Sequence, residues 1–89
     1  MGTKKLELRI VAPGVKLEKQ PPQFADMIVL PCTTGELGVL PGRLPCTMVL
    51  GNGNVRVVEE GQEVRIKVSG GIATVGRDVV TVLSNYLEI

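Results

Sequence analysis

Glu36 is the first residue in this chain whose type and setting suggest chemistry. It stands in "TTGELGVLPGRLPC", residues 33–46, between Gly35 and Gly38 and ahead of a Pro41-Gly42 turn signal. A lone carboxylate framed this way suits presentation to a partner, because binding residues favour connecting segments carried on a stiff scaffold. Cys32 precedes this stretch and Cys46 ends it, each directly after Leu-Pro. Their spacing is not that of a metal-binding pair, and there is no second pair to complete one. A nucleophilic cysteine needs a base or a cation beside it, and Arg43 is the only candidate near either thiol in sequence. Both therefore read as inert, partly buried thiols that pack as small hydrophobes.

Other catalytic chemistry is sparse. The chain has no histidine, which removes the commonest general base and metal ligand. Glu59 and Glu60 are adjacent and would point to opposite faces of a strand. The glycine pairs in "GNGNVR" and "SGGIATVG" do not open a helix after a strand and lack a Gly-Lys-Ser/Thr ending, so they read as turns and close strand contacts rather than phosphate cradles. No cofactor or metal is expected.

The elements that must hold Glu36 are strands. The 89 residues allow one domain, residues 1–89. Eleven glycines and six prolines cut the chain into short pieces, and within the pieces the apolar period is two. "KLELRIV" sets Leu6, Leu8 and Ile10 against Lys5, Glu7 and Arg9. "EVRIKVS" repeats the pattern with Val64, Ile66 and Val68 inward. Asn52-Gly53 is a strong hairpin signal, and Gly61 and Gly76 mark two further turns. The reading is nine segments: 4–12, 15–19, 24–30, 37–40, 44–50, 54–59, 62–68, 71–75 and 78–84. With regular turn signals between them, they form an all-β antiparallel sandwich. Pro21-Pro22 stiffens an edge and blocks pairing there.

Composition narrows the function. Net charge is +1 with no charge runs, which gives no warrant for nucleic-acid or anionic-membrane binding. No apolar run approaches a spanning helix, and "MGTKKLELR" has no signal-peptide core, so a cytosolic origin is expected.

These residues resemble a known family. "IVLPCTTGELGVLPGRLP" resembles the signature of the epsilon subunit of bacterial and chloroplast F-type ATP synthase, close to G-x-x-G-E-L-G-I-L-P-G-H-x-P. "VRIKVSGGIATV" and "DVVTVLSNY" resemble two of its later strand segments. The resemblance implies a flattened sandwich of two five-stranded sheets, about ten short strands in all. It implies a non-catalytic subunit of the rotary central stalk, joining the gamma subunit to the c-ring and supporting ion-coupled ATP synthesis. Gly35, Glu36 and Leu37 would meet the c-ring, and Gly42 and Arg43 would lie at the gamma or ring contact, with Arg43 where the family commonly has histidine. The expected place is peripheral on the cytoplasmic face of the bacterial inner membrane, or the stromal side of a thylakoid. The family continues into a pair of C-terminal helices; this chain stops at Ile89, so no inhibitory arm and no ATP binding are expected of it. The alternatives are a free-standing β-sandwich interaction module and a small thiol enzyme using Cys32 or Cys46.

Overall fold

A computed structural model describes residues 4–17 and 19–88. Its strands are β1 (Leu6–Val11), β2 (Phe24–Ala25), β3 (Met27–Cys32), β4 (Gly35–Val39), β5 (Cys46–Glu59), β6 (Gln62–Val75), β7 (Val79–Leu83) and β8 (Leu87–Glu88). Hydrogen bonds link them in the order β2-β1-β7-β6-β5-β3-β4, with β8 beside β6. All pairs are antiparallel except β1–β7, which is parallel from Glu7↔Val79 to Val11↔Leu83. The expectation of a wholly antiparallel sandwich of about ten strands is corrected in these two respects.

Two long strands account for the difference in count. The segments expected at 44–50 and 54–59 are one strand, β5, and those at 62–68 and 71–75 are one strand, β6. They pair in an unbroken register from Cys46↔Val75 to Glu59↔Gln62. Asn52-Gly53 is therefore mid-strand, not a hairpin turn. The turn is Glu60-Gly61, where both residues take positive φ (51° and 78°) as a two-residue hairpin requires. The segment expected as a strand at 15–19 is irregular where it is described, and Glu18 lies outside the described residues.

The two-layer form follows from which residues are buried. Along β5 the inward positions are Cys46, Met48 and Leu50, then Val55 and Val57. Along β6 they are Ile66 and Val68, then Ala73 and Val75. In both strands the buried parity inverts at the same level, near residues 51–54 and 69–72. The chain from β7 to β8 does likewise, burying Val80 and Val82 and then Leu87. A ribbon that keeps its pairing while exchanging its inner face has crossed from one layer to the other. One layer then holds β4, β3, the second half of β5, the first half of β6, and β8. The other holds the first half of β5, the second half of β6, β7, β1 and β2. Each layer has five segments, and one aliphatic core lies between them. The shortest dimension, 19 Å, accommodates two sheets stacked about 10 Å apart.

The crossing depends on close backbone approach. A Cβ on Gly71 would lie 2.3 Å from the Leu83 carbonyl oxygen and 3.1 Å from Ser84 Cα, and Gly71 has φ +124°. A Cβ on Gly53 would lie 2.9 Å from Pro31 Cβ. Beside Gly71, the buried Ser84 hydroxyl lies 2.9 Å from the Gly70 carbonyl oxygen and 3.0 Å from that of Tyr86. It also accepts the Tyr86 N–H at 3.3 Å. These bonds pair the Ser84 hydroxyl and the Tyr86 N–H where β7 gives way to β8.

At the other end of the molecule Lys5 gathers carboxylates. Its Nζ is 3.0 Å from Asp26, 3.5 Å from Glu59 and 4.0 Å from Glu60. Asp26 also accepts the Glu60 N–H at 2.8 Å, which ties β2's end to the β5–β6 turn. That backbone bond first, and Lys5 second, hold the Asp26 carboxyl below its ordinary pKa.

Two outcomes are expected. Gly71→Ala combines strained φ with a clash and should cost about 3 kcal/mol or more. Gly38→Ala, whose Cβ would meet only Met27 Sδ at 4.0 Å, should stay within about 0.5 kcal/mol of the parent; urea titrations compare the two. Asp26 titrates lower folded than unfolded, so its stabilisation is present above the unfolded pKa and is lost as pH falls through the folded value. Asp26→Asn should therefore melt below the parent at pH 7, with the gap narrowing below about pH 4. Thermal melts at pH 7 and pH 3 test this.

Candidate functional site

The glycine-framed acid is carried by an edge strand rather than a loop. β3 and β4 form a tight hairpin through Thr33-Thr34, with Cys32↔Gly35, Pro31↔Glu36 and Leu30↔Leu37 facing one another. Gly35 takes φ +128° at the exit of that turn, a conformation that strongly favours glycine. Alternation along β4 then sends Leu37 and Val39 into the core and leaves Glu36 and Gly38 outside. Glu36 thus stands on the outer face of the first layer at the open edge of the sheet.

Glu36 is not a free charge. Its Oε1 accepts a hydrogen bond from Arg56 Nη2 at 3.0 Å. Arg56 Nη1 lies 3.9 Å from Glu63, and Glu63 accepts from Arg65 Nε at 2.7 Å. The register puts Arg56 directly opposite Arg65. Like charges in that position repel unless carboxylates intervene, and Glu36 and Glu63 do so. The result is an alternating row across β4, β5 and β6. It borders a shallow cavity of about 410 Å3 that Asn52, Asn54 and Gly35 also line. Arg56 Nε is buried without a protein partner.

Gly42 and Arg43 lie beyond the other end of β4. At about 3.3 Å per residue, the chain from Glu36 to Arg43 can span roughly 20 Å. Gly42, with φ +88°, donates its N–H to Asp78 Oδ1 at 2.9 Å. Asp78 is in turn 3.6 Å from Lys4, and its carbonyl accepts the Glu7 N–H at 2.8 Å. The 40–45 loop is therefore pinned to the β6–β7 turn while Arg43 stays exposed. The five residues singled out from sequence form two separate places, with Gly35, Glu36 and Leu37 in one and Gly42 and Arg43 in the other. Leu37 is half-buried against the core.

Arg56, Glu63 and Arg65 were not among the residues singled out from sequence. Their signal is the alternation of "NVRVVEE" and "EVRIKVS", which sets charges on one face, but only the pairing register shows that they converge on Glu36. The thiols do not converge on a base. Both are free and half-buried, and burial first and the neighbouring Cys46 second push the Cys32 thiol above its ordinary pKa. A raised pKa lowers the thiolate fraction that nucleophilic chemistry needs.

The fold and its edge are those of a two-layer β domain that displays a carboxylate paired with Arg56. Residues 5–89 match the family described as ATP synthase, Delta/Epsilon chain, beta-sandwich domain, and the chain belongs to that family. Among its relatives is the ATP synthase epsilon chain of Synechococcus sp. (strain JA-2-3B'a(2-13)), 37% identical over 83 residues, covering 93% of this chain and 58% of the relative. The ATP synthase epsilon chain of Granulibacter bethesdensis is 39% identical over 79 residues, covering 88% and 56%. The chain thus spans a little over half the length of these curated relatives. A chain in the Euglena gracilis mitochondrial ATP synthase (OSCP/F1/c-ring, rotational state 1) has a TM-score of 0.80 at 26% identity, covering 97% of this chain and 55% of that one. A chain from the Tetrahymena thermophila mitochondrial ATP synthase central stalk and c-ring shares the fold, with a TM-score of 0.60 at 15% identity, covering 96% and 68%.

The Glu36–Arg56 pair is exposed on one side and should contribute modestly. A double-mutant cycle with Glu36→Gln and Arg56→Gln should give a coupling of about 0.2–1 kcal/mol that shrinks in high salt.

Proposed function

We propose that the chain is a non-catalytic subunit of the rotary stalk of an F-type ATP synthase, linking the gamma subunit to the c-ring. The observation that carries this reading is the family match over residues 5–89, taken together with an exposed sheet edge that presents Glu36. In this reading Gly35, Glu36 and Leu37 form the c-ring contact. The carboxylate meets basic or polar groups on the ring loops, exchanging its bond to Arg56 for one to the partner. Leu37, half-buried against the core, holds the strand in place and offers the contact only its exposed part. Gly42 and Arg43, on the loop pinned by Asp78, form the second contact, at gamma or the ring. Torque would pass sterically through the stiff sandwich, while charge complementarity sets the register. The subunit would be peripheral to the membrane, on the cytoplasmic face of a bacterial inner membrane.

Glu36→Lys is the direct test. It should leave the chain folded and lower its stability by only about 1 kcal/mol, because the pair it breaks is exposed and Glu63 still faces Arg56. It should weaken attachment to the ring, because charge reversal replaces an attraction with repulsion. Reconstituted vesicles carrying the variant should show reduced proton-coupled ATP synthesis; full coupling with the variant would refute the role given to this residue.

A further inference from the structure

The charge row on the first layer leaves its bases short of acceptors. Arg56 and Arg65 face each other across β5 and β6. Among the described residues each makes one hydrogen bond to a carboxylate, Arg56 Nη2 to Glu36 and Arg65 Nε to Glu63. A guanidinium carries five N–H donors. Arg56 Nη1 stands 3.9 Å from Glu63, beyond hydrogen-bonding reach. Arg56 Nε is the single buried side-chain nitrogen or oxygen without a partner among the described residues. A buried donor left unpaired is costly, and it marks a place where an acceptor is missing.

The two bases share a cavity. Arg56, Arg65 and Glu36 line the space of about 410 Å3, and Glu63 is not part of its lining. The row as a whole is neutral, but the charge facing the cavity is therefore one positive unit. Asn52 and Asn54 line it too. Asn52 gives its Oδ1 to the Ser69 hydroxyl at 3.0 Å, which leaves its amide N–H groups to donate. The space exists because Gly53 has no side chain; a Cβ there would lie 2.9 Å from Pro31 Cβ.

We infer that this cavity is a binding site for a free oxyanion of phosphate size, held by Arg56, Arg65 and the Asn52 and Asn54 amides. Charge-assisted bonds from two guanidinia suit an acceptor-only anion with several oxygens. The surrounding acids select for size. Glu63 lies beside both arginines, and Glu88 faces Lys67 one strand further on. An extended anionic surface laid across this face would meet those carboxylates, whereas a small ion fits between them. Glu36 opposes the anion from within the lining. A cation on Glu36 offsets that opposition, so an anion in the cavity and a cation at the edge favour each other's binding. The inference stands apart from the stalk reading, which needs no anion here.

The test is a titration of the folded chain with inorganic phosphate, followed by heteronuclear NMR at constant ionic strength with chloride as the balancing salt. The Arg65 Nε–H and Asn54 side-chain amide resonances should follow saturable curves, with a dissociation constant on the order of 1 mM. Arg65→Gln should weaken binding at least about fivefold. Glu36→Gln should tighten it by roughly twofold or more, because a carboxylate facing the cavity is gone. The Arg65 and Glu36 side chains are 65% and 59% exposed, so both variants should fold. Asn54→Ala, which keeps every charge, should weaken binding by a smaller factor than Arg65→Gln. Shifts that stay linear in phosphate, or equal affinity in the parent, Arg65→Gln and Asn54→Ala, would overturn the inference. Vesicles of phosphatidylglycerol should leave the chain in the supernatant on sedimentation. Vesicle binding that Arg65→Gln abolishes would make a lipid headgroup the ligand and overturn the assignment to a free ion.

Discussion

The contact between Gly71 and the backbone at Leu83–Ser84 is the constraint on which the rest of this fold depends. At 2.3 Å from a carbonyl oxygen there is no space for even a methyl group. That approach lets β5, β6 and the β7–β8 chain change layers at one level while staying paired. Without the inversion, the aliphatic residues of each long strand would lie on opposite faces in its two halves, and one half would expose them. The crossing turns one hydrogen-bonded sheet into two facing layers. β3 shifts register against β5 between Val29 and Cys32 near the same level, and β4, paired with β3 alone, is left as the edge.

This explains which parts of the fold are legible in the sequence. The alternation of Leu6, Leu8 and Ile10, and of Val64, Ile66 and Val68, is a local property, and the inward residues are those the period selects. The Glu60-Gly61 and Gly76 turns are local too. Asn52-Gly53 misleads for a physical reason. "MVLGNGNVRV" shifts its apolar phase across the glycines, and a hairpin turn or a strand that inverts its inner face both produce that shift. Only the long pairing with β6 distinguishes them, and it is non-local. "SGG" carries the same ambiguity at residues 69–71. The parallel β1–β7 pair likewise leaves no local mark.

Candidate sites follow the same rule. Glu36 is visible because its glycine frame is local, and so are Gly42 and Arg43. What Glu36 touches is not visible, because Arg56 lies twenty residues away and reaches it only through the β3–β4 hairpin and the β3–β5 register.

The charged edge implies a limited role in binding. The Glu36–Arg56 bond is already made in the isolated chain through Oε1, so a partner's base either shares the carboxylate through Oε2 or displaces Arg56. Exchanging one exposed ion pair for another changes free energy little, since each is worth about 0.2–1 kcal/mol. Arg56 need not be stranded by the exchange, because Glu63 is already 3.9 Å away. A contact of this kind sets register and rejects wrongly charged neighbours, but it supplies little holding power. Apolar burial, at roughly 25 cal/mol per Å2, is the stronger source of attachment. In the stalk reading the charged edge therefore fixes orientation rather than supplying attachment.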